Sequence, residues 1–135
     1  RKEVSPDATL STNPESVSPP TMQAGMWVTL DGTTATLGQS TLPSYCIFTP
    51  KGDYSAQALN QFTVLFDNGF EGVTDQMAAA TISGALTSGA PLMVTDGVLL
   101  AATAGKIVVA HTTAAKAGSA TDVQIQACSP YTLHA

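Results

Sequence analysis

Positive charge is scarce in this chain. Of its 135 residues, five are Lys or Arg and ten are Asp or Glu, 11% charged in all, against roughly 25% in ordinary soluble domains. Arg1 is the only arginine, and from Gly25 onward the cations are Lys51, Lys106 and Lys116, placed one at a time. Phosphate recognition needs clustered Arg or Lys, so no nucleic-acid partner is expected. Aromatic residues are few as well: four Phe, three Tyr and Trp27. No apolar run approaches the roughly 18 residues that a membrane helix needs, and no membrane partner is expected. Cysteine is limited to Cys46 and Cys128, far apart and at no metal-binding spacing. Two reduced, partly buried thiols are the simpler expectation; one long-range disulfide is the alternative for a secreted protein.

Catalytic patterns are missing too. The chain has no G-x-S-x-G elbow, no H-E-x-x-H, no P-loop and no dinucleotide glycine pattern. His111 and His134 match no familiar metal spacing with the two cysteines. Asp67, Glu71 and Asp75 recur every four residues, which would align them on a helix, but the region reads as strand and turn. Asp31 and Asp96 each precede Gly and are accounted for by turn chemistry. No enzyme activity, no catalytic or metal site and no cofactor are therefore expected.

What is present is β-structure preceded by an arm. Residues 1–24 hold four of the eight prolines, with many Ser and Thr and few large apolar side chains. Such a segment buries too little surface to offset its ordering entropy, so alone it is extended or disordered. It is either a dispensable tail or an arm that becomes ordered along a partner. Val4, Leu10 and Val17 are the candidate contact residues of the second reading. From residue 25 to 135 a single β domain is expected, since the length suits one core and not two.

Within that domain, nine short strand-like runs are separated by Gly, Pro and Asp-Gly pairs. They are Met26–Leu30, Thr33–Leu37, Ser44–Thr49, Gln61–Phe66, Phe70–Thr74, Pro91–Thr95, Val98–Ala102, Lys106–His111 and Asp122–Ala127. Asp31-Gly32 and Asp96-Gly97 mark hairpins. Asp75–Ala80 is the best helical candidate but is too short to be stable alone. The fold class is all-β: a small β-barrel, or a β-tulip or sandwich domain.

Several runs are apolar on both faces. Leu99 and Leu100 point opposite ways, as do Val108 and Val109, so a second apolar face needs either a packed second layer or another subunit. Trp27 is out of phase with Met26, Val28 and Leu30, which makes it either a core residue or a candidate interface residue.

The second half has a further pattern. Gly84-Ala85-Leu86-Thr87-Ser88-Gly89-Ala90-Pro91-Leu92-Met93-Val94 leads to Asp96-Gly97-Val98-Leu99, then to Gly105-Lys106-Ile107-Val108-Val109-Ala110, Ala114-Ala115-Lys116-Ala117-Gly118 and Val123-Gln124-Ile125. About a third of the chain thus resembles small decoration (cement) proteins of tailed-bacteriophage capsids. The pattern uses common residues, and Met26–Thr74 matches less clearly. The resemblance implies a β-barrel or β-tulip domain in the virion, on the capsid exterior. It also implies a homotrimer on three-fold or quasi-three-fold positions of an expanded shell, with the major capsid protein as partner. The alternative from the residues alone is a carbohydrate- or receptor-binding β-module of a fibre or adhesin, with Tyr45, Tyr54 and Tyr131 as a stacking platform.

Overall fold

The computed structural model describes residues 2–6, 23–32, 34–49, 62–65, 69–78, 81 and 83–134. Every named element is a strand: β1 (Lys2–Pro6), β2 (Trp27–Asp31), β3 (Thr34–Leu37), β4 (Tyr45–Thr49), β5 (Phe62–Leu65), β6 (Glu71–Thr74), β7 (Pro91–Thr95), β8 (Val98–Ala101), β9 (Ile107–Thr112) and β10 (Val123–Thr132). The all-β expectation holds, and each of the nine runs read from the sequence contains a strand.

The chain divides its strands between two sheets in sequence order. In the first, the hydrogen-bonded order is β1-β3-β2-β4-β5. β1 occupies the gap between β3 and β5. Lys2, Glu3 and Val4 pair antiparallel with Val64, Thr63 and Phe62, while Ser5 and Pro6 pair parallel with Thr34 and Ala35. The pairing circuit of this sheet therefore returns on itself through β1. The second sheet is open, in the order β6-β10-β9-β7-β8, with every pairing antiparallel. The molecule as a whole is a two-sheet body and not one closed barrel.

The hairpins follow their turn residues. Thr95 pairs with Val98, and the two loop residues between them, Asp96 and Gly97, both have positive φ (48° and 81°), the backbone of a two-residue hairpin loop whose twist matches the strands. In the first hairpin Asp31 pairs with Thr34 and closes the strand, so the loop falls one position later than the Asp-Gly pair suggests. β10 runs five residues beyond the expected end at Ala127. Its pairing with β9 shifts register between Ala127 and Tyr131, and Pro130 lies in that irregular stretch, where a missing N–H is tolerated. Asp75–Ala78 is not helical: Met77 forms an isolated parallel bridge to Leu99. Ala79 and Ala80 lie outside the described residues.

Two apolar clusters account for the two faces of the first sheet. Val28, Ala35, Ile47 and Val64, with Met26, form one cluster on one face of the first sheet. Their chain neighbours Trp27 and Cys46 point the other way and join Leu92, Val94, Leu99, Val123 and Ile125 between the sheets. The first sheet thus has a core on each face, and the second sheet is the cover for one of them. Each fully buried Val, Ile or Leu contributes about 1.5–3 kcal/mol relative to an exposed one.

Candidate functional site

The sheets are joined at two places that also frame the candidate site. At the first joint, the amide of Trp27 donates to the Gly97 carbonyl (2.9 Å), Gly38 donates to Trp27 (2.9 Å) and Gly97 donates to Gly38 (3.0 Å). The Gln39 amide nitrogen donates to Asp96 Oδ1 at 2.7 Å across the same joint. At the second, the Gln76 side-chain nitrogen reaches Gln23 Oε1 at 3.1 Å, next to the Gly25 amide, which donates to the Ile47 carbonyl within the first sheet (2.9 Å). Thr74 Oγ1 accepts the Gln76 amide at 3.0 Å. Asp96 and Thr74 are therefore read as structural groups, each spoken for by the fold.

Beside the second joint the sheets part into an open cleft of about 480 Å³. Gly25, Cys46, Ile47 and Leu65 line it from the first sheet, and Phe70, Thr74 and Ile125 from the second. The exposed Glu71, Asp75 and Asp122 add three carboxylates to its wall. β6 is an edge strand, and Val73 upon it is 65% exposed. An apolar floor with an acidic border suits binding of an apolar or cationic group.

The cleft offers no activated nucleophile. Burial pushes the Cys46 thiol up to about 12, with a backbone hydrogen bond from Gly25 offsetting a part of that rise. A thiol held protonated at neutral pH does not attack. Cys128 is half-buried, and burial raises it as well. Both cysteines are free, in line with the simpler expectation. Among the described residues, no three of His, Cys, Asp and Glu are grouped to hold a metal. Glu71 and Asp75 belong to a strand and the extended segment after it, so their spacing is not that of a helix face, although both border the cleft; Asp67 lies outside the described residues.

The candidate contact residues have different fates. The Val4 backbone pairs with Phe62 in the first sheet, and Leu10 and Val17 lie outside the described residues. Trp27 is 2% exposed, stacked against Phe70 with ring centroids 6.2 Å apart. It takes the core reading of the two offered by its phase and presents no face to a partner. Its indole N–H is buried with no hydrogen-bond partner among the described residues. The tyrosines do not converge. Tyr45 packs at the edge of the first sheet's own cluster, while Tyr131 lies on the second sheet, stacked on His111 and bonded to His111 Nε2 at 2.7 Å. Tyr54 lies outside the described residues.

Lys116 has a role that the sequence analysis did not assign. It is 4% exposed, and its ammonium donates to the carbonyls of Gly84 (2.7 Å) and Ala117 (3.1 Å). The backbones of Leu86 and Lys116 bridge at the same point, so this lysine ties two long loops and is no surface cation. Its setting among Ala115, Ala117 and Gly118 was the available signal: small neighbours leave room for a buried stem.

Set against protein families, curated proteins and solved structures, the chain matches no family, no curated protein and no solved structure.

Proposed function

We propose that this chain is a structural virion protein without catalytic activity, binding the outer surface of an expanded tailed-phage capsid and stabilising it. In this reading it acts as a trimer at three-fold or quasi-three-fold positions, with the major capsid protein as partner. The observation that carries the proposal is the stretch from Gly84 to Ala127 that resembles decoration proteins. It forms one unit here: β7, β8, β9 and the first half of β10 lie in a single sheet, and the Leu86–Lys116 bridge closes the loops at its end. Scarce charge and an N-terminal segment rich in Pro and Ser suit a module that lies against a shell.

The physics is that of linkage. A protein that binds only the expanded lattice adds its binding free energy to that state, and three chains acting together raise avidity without strong single contacts. The test is co-sedimentation of the purified chain with expanded heads stripped of it, beside unexpanded heads as control. Pelleting with expanded heads alone, and a rise in their thermal disruption temperature, is the expected result. A chain that stays in the supernatant with both refutes the proposal.

The second reading, a carbohydrate-binding β-module, rests on one observation: the 40% exposed Tyr131 ring stacked on His111, with exposed Gln126 directly paired to His111. Glycan-array binding lost on Tyr131→Ala would favour it; an array without hits would remove it.

A further inference from the structure

The first sheet contains a slot that only an N-terminal strand fills. β3 and β5 are not hydrogen-bonded to each other, and β1 bonds to both through different halves, antiparallel to β5 and parallel to β3. A parallel pairing is never made by a tight turn, so β1 enters from outside the local hairpins. The slot borders the first sheet's own cluster: Val64 and Ala35, the register partners of Lys2 and Pro6, are both 0% exposed. Left empty, it would open two strand edges and the side of that cluster, the arrangement that invites pairing with another chain.

The strand that fills it is held by a long connection. Residues 7–26 separate β1 from β2. Twenty residues reach roughly 70 Å at full extension. Such a reach covers the distance between neighbouring domains of this size.

We propose that the gap between β3 and β5 is an acceptor slot for the N-terminal strand of a second copy of this chain, and that copies associate by exchanging β1. The pairing partners are the same whichever chain supplies the strand, so the choice between own and neighbouring strand is set by concentration. A strand tethered to its own slot is presented there at an effective concentration of millimolar order. Dilute chains fill their own slots. Copies held side by side reach the same local concentration and exchange strands, a route to association that requires no new interface. The inference stands apart from the capsid reading, since a chain that ignores capsids can still exchange its strand.

The experiment uses the full chain in a Cys46→Ala/Cys128→Ala background. Glu3 and Thr63 are directly opposed in the antiparallel pair, within disulfide reach. One batch carries Glu3→Cys, another Thr63→Cys, and the two are unfolded, mixed and refolded from micromolar to millimolar concentration, then oxidised. The expected result is a two-chain disulfide species that forms in the mixture, not from either batch alone, and grows with concentration. No two-chain species at any concentration overturns the proposal. Val4→Cys with Phe62→Cys gives a second pair should the first impair folding. The unmodified chain supplies an independent measurement by sedimentation. A monomer over the whole range overturns the proposal. Association that disappears when both Glu3→Cys and Thr63→Cys are placed in one chain, and oxidised at micromolar concentration to lock β1 in its own slot, supports it; association that survives the lock overturns it.

Discussion

Replacing Gly38 by Ala tests the close approach of the two sheets at the first joint. A Cβ there would lie 2.8 Å from Ser44 Oγ, 2.9 Å from the Trp27 carbonyl oxygen and 3.0 Å from Val94 Cγ1. Ser44 and Val94 are buried at 2% and 1% exposure, and the Trp27 carbonyl already accepts the Gly38 amide, so none of the three moves freely. Overpacking of this kind costs about 1–3 kcal/mol, reduced by about 0.4–1 kcal/mol because Ala loses less backbone entropy on folding than Gly. The expected net loss is about 1–2 kcal/mol. Two other glycines separate the causes. A Cβ at Gly72 meets nothing within 4 Å, so Gly72→Ala is expected to be neutral or mildly stabilising. Gly105 also has open space but a φ of 83°, so Gly105→Ala isolates the left-handed backbone penalty of about 1–2 kcal/mol. Gly97, at φ 81° with Leu37 Cδ2 at 2.9 Å, combines both and is expected to lose most. Urea unfolding of the four variants gives the order, with an unchanged m-value as the check that the unfolded state is the same. If Gly38→Ala proves as stable as Gly72→Ala, the close approach of the two sheets at Trp27 is refuted.

Three further outcomes are expected. The raised Cys46 pKa favours the folded state while the thiol is protonated, so its contribution is fully present below pH 9.0 and is lost as pH rises through about 12. Between about pH 8 and about pH 10.5 the parent chain should lose about 2 kcal/mol more stability than Cys46→Ala; equal losses in urea titrations would contradict the burial argument. Lys116→Met leaves the Gly84 carbonyl without its ammonium donor and is expected to cost about 1–3 kcal/mol, with faster hydrogen exchange at the Leu86 amide that bonds to the Lys116 carbonyl. Unchanged exchange there would show that the lysine does not hold the loops. Trp27→Phe removes a buried N–H that has no partner among the described residues, so it should cost far less than Trp27→Ala, for which about 3–5 kcal/mol is expected; near-equal costs in thermal unfolding would mean that the indole N–H is bonded after all.

Most strands were legible because their signals are local. Alternation, β-branched residues and Asp-Gly or Pro punctuation lie within each run, and nine runs became nine strands. β1 has no such signal. Lys2–Pro6 carries one large apolar residue, and its partners are β3 and β5, distant in the sequence. What makes it a strand is the slot that those two edges leave, which no window of sequence contains. The far end of β10 was hidden for a different reason: Ser129-Pro130 breaks the alternation, yet the register shift lets pairing resume at Tyr131. The cleft was invisible for a third reason. Its walls come from Gly25, Cys46, Phe70 and Asp122, which share no motif and meet only because two sheets diverge.

The two-faced apolar strands bear differently on function once the packing is known. From the sequence, a second apolar face called for either a second layer or another subunit. The fold supplies the layer: Trp27 and Cys46 are covered by the second sheet, while Val28 and Ile47 fill the cluster on the opposite face. The apolar strands of the first sheet therefore carry no argument for a partner, whereas Leu100 and Val108, which point away from Leu99 and Val109 in the second sheet, belong to neither cluster. What remains for contact is edges and isolated side chains. β1 fills the gap in the first sheet, and the edge strand β8 is partly covered where the Leu99 amide and carbonyl bond to Gln76 and Ala78. β6, with exposed Val73 and the cleft beside it, is the least covered edge among the described strands. Binding to a shell, to a glycan or to a second copy must then act through short strand edges, the N-terminal segment and exposed residues such as Leu42, Val73 and Tyr131, each worth little singly. A partner held in that way needs several copies engaged together to be held firmly, which is why the oligomeric state and its dependence on β1 are the measurements that bear most directly on function.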